Sequence, residues 1–177
     1  MLVRGVSGLG LLLLTAAVLS GCNGQPGQAE PTGTTASSGG SSSAVLDKLD
    51  PCALLTVDQL QQYSVATQGQ PLNTSDETGC IYLGSPDSAS RGINLSKSKD
   101  SVDSYVQRSD TFVKLTKNTV NGRNGVQTQI STSNTECSQV IAVGSGTVRV
   151  AVTNDKSGDP CGDALKIAQV VEPKLPK

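Results

Sequence analysis

Ser138-Gln139-Val140-Ile141-Ala142-Val143-Gly144-Ser145-Gly146-Thr147-Val148-Arg149-Val150-Ala151-Val152-Thr153 decides the fold. Two runs rich in β-branched residues flank a Gly-Ser-Gly break, which predicts a hairpin with strands over 138–143 and 147–153. In a strand successive side chains point to opposite faces. Val148, Val150 and Val152 therefore face one way, and Arg149 and Thr153 the other. A hairpin of this kind needs a sheet around it and a layer packed on the valine side.

The neighbouring sequence supplies both. Upstream, 112–120 and 126–132 read as strands around Asn121-Gly122-Arg123-Asn124-Gly125, a turn with two Asn-Gly pairs and Arg123 at its tip. That tip is expected to be an exposed hairpin turn, open to contact with a partner. Further back, Cys80-Ile81-Tyr82-Leu83 and Gly92-Ile93-Asn94-Leu95-Ser96 read as two more strands. Three segments read as helices. Residues 54–60 carry a capping box at Thr56 and Gln59. Residues 100–108 carry a stripe of Val102, Tyr105 and Val106 behind an Asp100 cap. Residues 163–171 place Ala164, Ile167, Ala168 and Val171 on one face, and Pro173 stops them. The expectation is an α+β domain: an antiparallel sheet of about five to six strands, with helices packed on it and two disulfides.

The disulfides come from Cys52, Cys80, Cys137 and Cys161, an even count with three connectivities. A turn centred on Ser145 sets Cys137 opposite Thr153 or Asn154, and only a short stretch then separates it from Cys161. Cys137–Cys161 is the easy bridge, and Cys52–Cys80 follows by elimination. The tripeptide Asp-Pro-Cys occurs at 50–52 and again at 159–161. Asp suits a helix cap and Pro the first helical position, where no N–H is needed. The cysteine that follows fastens the helix start. The alternative, a pair of reactive thiols, lacks a C-x-x-C motif and a histidine partner.

Composition removes several activities. The chain has 14 Lys+Arg against 15 Asp+Glu, no His, no Trp, one Phe and three Tyr. Without His, Ser-His-Asp and Cys-His catalysis are excluded. Balanced charge and few aromatics argue against nucleic acid as a partner. Ser96-Lys97-Ser98-Lys99 contains an S-x-x-K pattern but has no K-T-G companion, so it reads as a solvated basic strand end. Asp155, Asp159 and Asp163 recur at every fourth residue, a spacing unlike an EF-hand loop, and Asp159 and Asp163 read as helix-start residues. No residue is assigned as catalytic or metal-binding, and no cofactor is expected.

Residues 1–21 read as an export signal: Arg4, an apolar run over 9–19, then Leu19-Ser20-Gly21-Cys22. That tetrapeptide resembles the bacterial lipobox, whose cysteine takes a diacylglycerol and becomes the first residue of the mature chain. Cys22 would then be a lipid anchor, since more than one acyl chain on a residue holds a protein stably at a membrane. Residues 22–44 are expected to form a disordered Gly/Ser/Thr tether, with a reach of about 25 Å as a flexible coil. The domain is expected over 45–177.

With the lipobox, the tether, Asp50-Pro51-Cys52-Ala53-Leu54-Leu55-Thr56 and the spaced cysteines, the chain resembles a family of small actinobacterial cell-envelope lipoproteins, catalogued as a domain of unknown function. The resemblance covers about residues 50–175. It includes Cys80-Ile81-Tyr82, with Tyr82 where the family usually shows Trp, the Gly122 turn, Cys137 and the terminal cysteine helix. It implies a protein anchored through Cys22 on the outer face of the cytoplasmic membrane, and it brings no catalytic residues. The functional expectation is a non-catalytic binding or accessory module of the envelope, with an envelope protein or ligand as partner. The alternatives are a small-molecule or lipid carrier and a His-free hydrolase.

Overall fold

A computed structural model describes residues 42–155 and 157–177. Its centre is one antiparallel sheet of seven strands. In chain order these are β1 (Gln70–Asn73), β2 (Glu77–Leu83), β3 (Gly92–Ser98), β4 (Lys114–Val120), β5 (Arg123–Gln129), β6 (Glu136–Val143) and β7 (Gly146–Thr153). They lie side by side as β1-β2-β3-β7-β6-β5-β4. The helices are α1 (Ser42–Asp47), α2 (Val57–Gln62), α3 (Val102–Gln107) and α4 (Pro160–Val171). The α+β class stands, with more strands than the sequence predicts. The extra strand is β1, four residues at the sheet edge with Pro71 inside it. Proline removes a ladder donor, so it marks a segment as non-strand everywhere except at an edge.

The β6–β7 hairpin sits in the middle. Its turn is the two residues Gly144 and Ser145, with Val143 opposite Gly146. Gly144 alone has positive φ (58°), as a turn with a glycine at its first central position requires. The turn centre thus falls between the two residues rather than on Ser145, and Cys137 lies opposite Val152. In the β4–β5 hairpin the turn is Asn121-Gly122, both at positive φ (49° and 90°). The second Asn-Gly pair continues into β5, and Arg123 is the first residue of that strand rather than a loop tip.

One sheet face carries the main core. Leu95, Val148, Val150, Val152, Ile141 and Ile93 are fully or almost fully buried there, beneath Ala164, Ile167, Ala168 and Val171 of α4. That helical stripe matches the one read from the sequence. The helix starts as expected: Asp159 is the cap, its Oδ1 accepting from Gly162 N at 2.9 Å, and Pro160 is the first helical residue. The earlier Asp-Pro-Cys cassette works the same way. Asp50 Oδ1 accepts from Cys52 N at 2.9 Å, but the helix is a single 3-10 turn, Pro51–Ala53. Thr56 and Gln59 form the capping box, so α2 begins after the buried Leu54-Leu55 pair. At α3 the cap is Ser101, boxed with Ser104, instead of Asp100, which pairs with Arg108.

Cys52 is joined to Cys80 (Cα–Cα 5.3 Å) and Cys137 to Cys161 (4.9 Å). The first bridge ties the 3-10 turn to β2. The second ties β6 to the start of α4. Tyr82 is buried beside the first bridge and donates from its hydroxyl to Cys52 O at 2.8 Å. Among the described residues no helix is long and apolar enough to cross a membrane. Residues 1–41, with the export signal, Cys22 and almost all of the tether expected over 22–44, lie outside the described residues. The last residues of that expected tether fall inside α1.

Candidate functional site

The other sheet face is covered only in part. Val102, Tyr105 and Val106 of α3 and Phe112 pack on Val126 of β5 and Val140 of β6. Over β2, β3 and β7, α3 reaches this face only through Tyr105, at its Glu77 end. Strand register lays out what the face carries. Leu83, Gly92, Thr153 and Glu136 make one row; Ile81, Asn94, Ala151 and Ser138 the next; then Gly79, Ser96, Arg149 and Val140; then Glu77, Ser98, Thr147 and Ala142.

The third and fourth rows hold a polar belt. Arg149 Nη2 is paired with Glu77 Oε2, and each side chain is about four-fifths buried (21% and 19% exposed). Ser96 Oγ donates to the same Glu77 oxygen at 3.1 Å, and Arg149 Nη1 reaches Ser138 Oγ at 3.4 Å. Ser96, Ser98, Thr128, Ser138 and Thr147 are all buried. Tyr105 closes the belt from α3. Burial pushes its phenol up from the usual tyrosine value, and the Glu77 carboxylate adds to this. Arg149 and a hydrogen bond with Thr147 pull the other way.

Two buried atoms at this face have no partner: Arg149 Nε, a donor, and Asn94 Oδ1, an acceptor. Asn94 and Arg149 are diagonal neighbours on β3 and β7. Both line a depression of about 360 Å³ with Ile81, Leu83, Ala151 and Glu136. On the other side of the Glu77–Arg149 bridge, a cleft of about 280 Å³ runs between Glu77 and α3. It shares Thr74, Asp76, Glu77, Ser98 and Asp100 with a larger cleft of about 460 Å³ at the end of β2 and β3. The arrangement offers a charged pair, several hydroxyls and an unmatched donor and acceptor on a shallow floor. It suits hydrogen-bonded recognition of a polar group.

The three aspartates that recur at every fourth residue, Asp155, Asp159 and Asp163, do not converge. Asp155 takes Ser157 N and Oγ, Asp159 caps α4, and Asp163 is bound to Arg91 and Asn154. Among the described residues no three His, Cys, Asp or Glu side chains are placed to hold a metal. Lys97 is not a solvated strand end: its Nζ donates to the Leu46, Asp47 and Leu49 carbonyls at 3.1, 2.7 and 2.7 Å. Arg123 is not free for a partner either. It binds Glu172 Oε1 at 2.9 Å and the Pro176 carbonyl at 2.9 Å, fastening the C-terminus to β5. That contact holds the Glu172 carboxyl below its usual range.

A family model described as "Protein of unknown function (DUF3558)" matches residues 17–174. The chain belongs to the DUF3558 family. No curated protein matches it, and neither does any solved structure. In this DUF3558 chain the polar belt is the feature that sequence reading missed. The alternation of Asn94 and Ser96 with Ile93 and Leu95, and of Arg149 with the valines, put those three side chains on the non-core face. Glu77 carried no such signal, because Gly79 interrupts the alternation between it and Ile81. At Gly79 strand β3 passes too close for a Cβ, against the Leu95 carbonyl and Ser96 Cα.

Proposed function

We propose that this protein is a non-catalytic binding or accessory module of the cell envelope, which takes its ligand on the open half of the sheet. The observation that carries this reading is the shallow floor around Arg149 and Asn94, with one unpaired donor and one unpaired acceptor at diagonal positions on adjacent strands. Leaving buried polar groups unmatched costs about 1–3 kcal/mol each. A ligand that supplies both partners recovers that cost, so the face favours a polar ligand with an acceptor and a donor close together. Ile81, Leu83 and Ala151 beside them suit a small apolar group on the same ligand. The clefts beyond Glu77 are lined by Asp47, Asp76, Glu77 and Asp100, which disfavour an acyl chain and weaken the lipid-carrier alternative.

Anchoring through Cys22, on the outer face of an actinobacterial cytoplasmic membrane, belongs to the same proposal and rests on the lipobox-like Leu19-Ser20-Gly21-Cys22. A Cys22→Ala chain should leave the membrane fraction; if it stays at wild-type levels, the anchor is elsewhere. The binding face is tested by capture from native membranes with the wild-type chain and with an Asn94→Leu/Arg149→Met chain. The expected result is an envelope component held by the first and lost by the second. Equal recovery by both chains would remove this face from the function.

A further inference from the structure

We propose that α1 is a releasable strap, latched by Lys97, which forms one wall of the 460 Å³ cleft and opens it when it lets go. This inference is independent of the binding face around Arg149.

The strap is six residues long, and a helix of that length does not hold together in water by itself. Its order comes from two attachments. Leu46, 3% exposed, sits in a notch at the start of β7 that exists because residue 146 is glycine. A Cβ there would come within 2.5 Å of Leu46 Cδ2. The second attachment is the Lys97 ammonium, which donates to the carbonyls of Leu46, Asp47 and Leu49. Leu46 and Asp47 end α1 and Leu49 follows two residues later, so the ammonium sits at the negative end of the helix dipole, where a cation is most favourable; the Leu46 carbonyl also accepts from Leu49 N at 3.1 Å. All three ammonium protons are used, so the latch is complete when the strap is docked.

The Cys52–Cys80 bridge sets the hinge. Everything Lys97 holds lies N-terminal to Cys52, and Cys52 itself is stapled to β2. The strap can therefore leave without disturbing the sheet. The carbonyls it gives up pass to water, so the cost of release is local rather than global. Leu46 and Asp47 line the cleft together with Thr74, Thr78, Ser98 and Lys97. Release removes that wall, uncovers the Gly146 notch and returns the Lys97 ammonium to the cleft. By linkage, anything that fills the cleft shifts the strap, and anything that pulls on the chain before Ser42 shifts the cleft.

Hydrogen exchange on the full chain tests the strap, comparing wild type with Lys97→Met, which keeps the aliphatic stem and loses the latch. Lys117→Met, on the outer strand β4, is the control. In Lys97→Met, amides of 44–49 should exchange at least tenfold faster while those of β6 and β7 stay as in wild type. Amides of 74–78 and 98–100 should accelerate with them, because they line the cleft opposite. Unchanged exchange at 44–49 would overturn the latch. Acceleration at 44–49 only together with β6 and β7 would make α1 part of the cooperative core and overturn the strap. Acceleration at 44–49 alone would overturn the coupling to the cleft. If Lys97→Met does not fold, Leu46→Ala removes the other attachment and gives the same three readings.

Discussion

The two faces of the sheet come from the same strands and have opposite characters. Along β7, Val148, Val150 and Val152 point to one face and are wholly buried; Thr147, Arg149, Ala151 and Thr153 point to the other and meet an ion pair, hydroxyls and open clefts. The first face is closed by α4, fastened through Cys137–Cys161, and holds the fully buried Gln139 in a reciprocal amide pair with Asn118 (2.8 and 2.9 Å). The second is covered by α3 mainly over β5 and β6, with Tyr105 reaching the edge of the Glu77–Arg149 belt. The first face packs apolar side chains under α4 and leaves one buried donor unmatched, Arg91 Nε, at its margin beside Asp163. A face that leaves a donor and an acceptor unmatched under a shallow floor is where a ligand gains the most.

If that contrast is right, changes on the covered face should cost stability and changes on the open face should cost binding. The largest expected loss is at the staple. Cys137→Ser with Cys161→Ser should lower unfolding free energy by about 3.5 kcal/mol in denaturant titration, from the loop it closes. A loss below about 1 kcal/mol would mean that packing of α4 alone holds the face. Next is Ile167→Ala, which removes a side chain with no exposed surface from beneath α4 and should cost about 3 kcal/mol with the fold retained.

The open-face pair should respond differently. Arg149→Met strands Glu77 and should cost about 1–2 kcal/mol, a value reduced from that of a fully buried pair because each side chain is about one-fifth exposed. Adding Glu77→Gln should restore most of that stability without restoring ligand capture. Recovery of both together would make the bridge merely structural. The smallest effect is on pH dependence. Burial raises the Tyr105 phenol, with Glu77 adding to it, so the folded state holds that proton more tightly than the unfolded chain does. The stability this provides is complete below the unfolded value near 10 and falls as pH climbs from there through the folded value. The wild-type melting temperature should therefore fall more steeply with pH above about 10 than that of Tyr105→Phe.

Much of the scaffold was legible because its signals are local. Asp50 and Asp159 cap, Pro51 and Pro160 start a turn, and Thr56 with Gln59 makes a box, all within a few residues of chain. The alternation in β3 and β7 and the i, i+3, i+4 stripe of α4 likewise need only a short window. Edges were harder. β1 is hidden because Pro71 breaks its pattern, and Arg123 reads as a loop residue because two Asn-Gly pairs make the turn look longer than it is. The binding-face candidates were half legible: parity put Asn94, Ser96 and Arg149 on the non-core side but could not say what they would meet.

The sequence by itself determined the fold class, both cap cassettes, the core stripe of α4 and, through the hairpin, a short path from Cys137 to Cys161. Each depends on backbone preferences and periodicity over neighbouring residues. Only the tertiary structure decided which polar side chains are joined. Glu77 and Arg149 are 72 residues apart, and Lys97 reaches carbonyls some 50 residues earlier. They meet because the sheet inserts β7 between β3 and β6, bringing Arg149 within one strand of Glu77's neighbour, and because Gly146 leaves room for α1 beside Lys97. Such pairings follow from strand order and close approach, which no local pattern encodes.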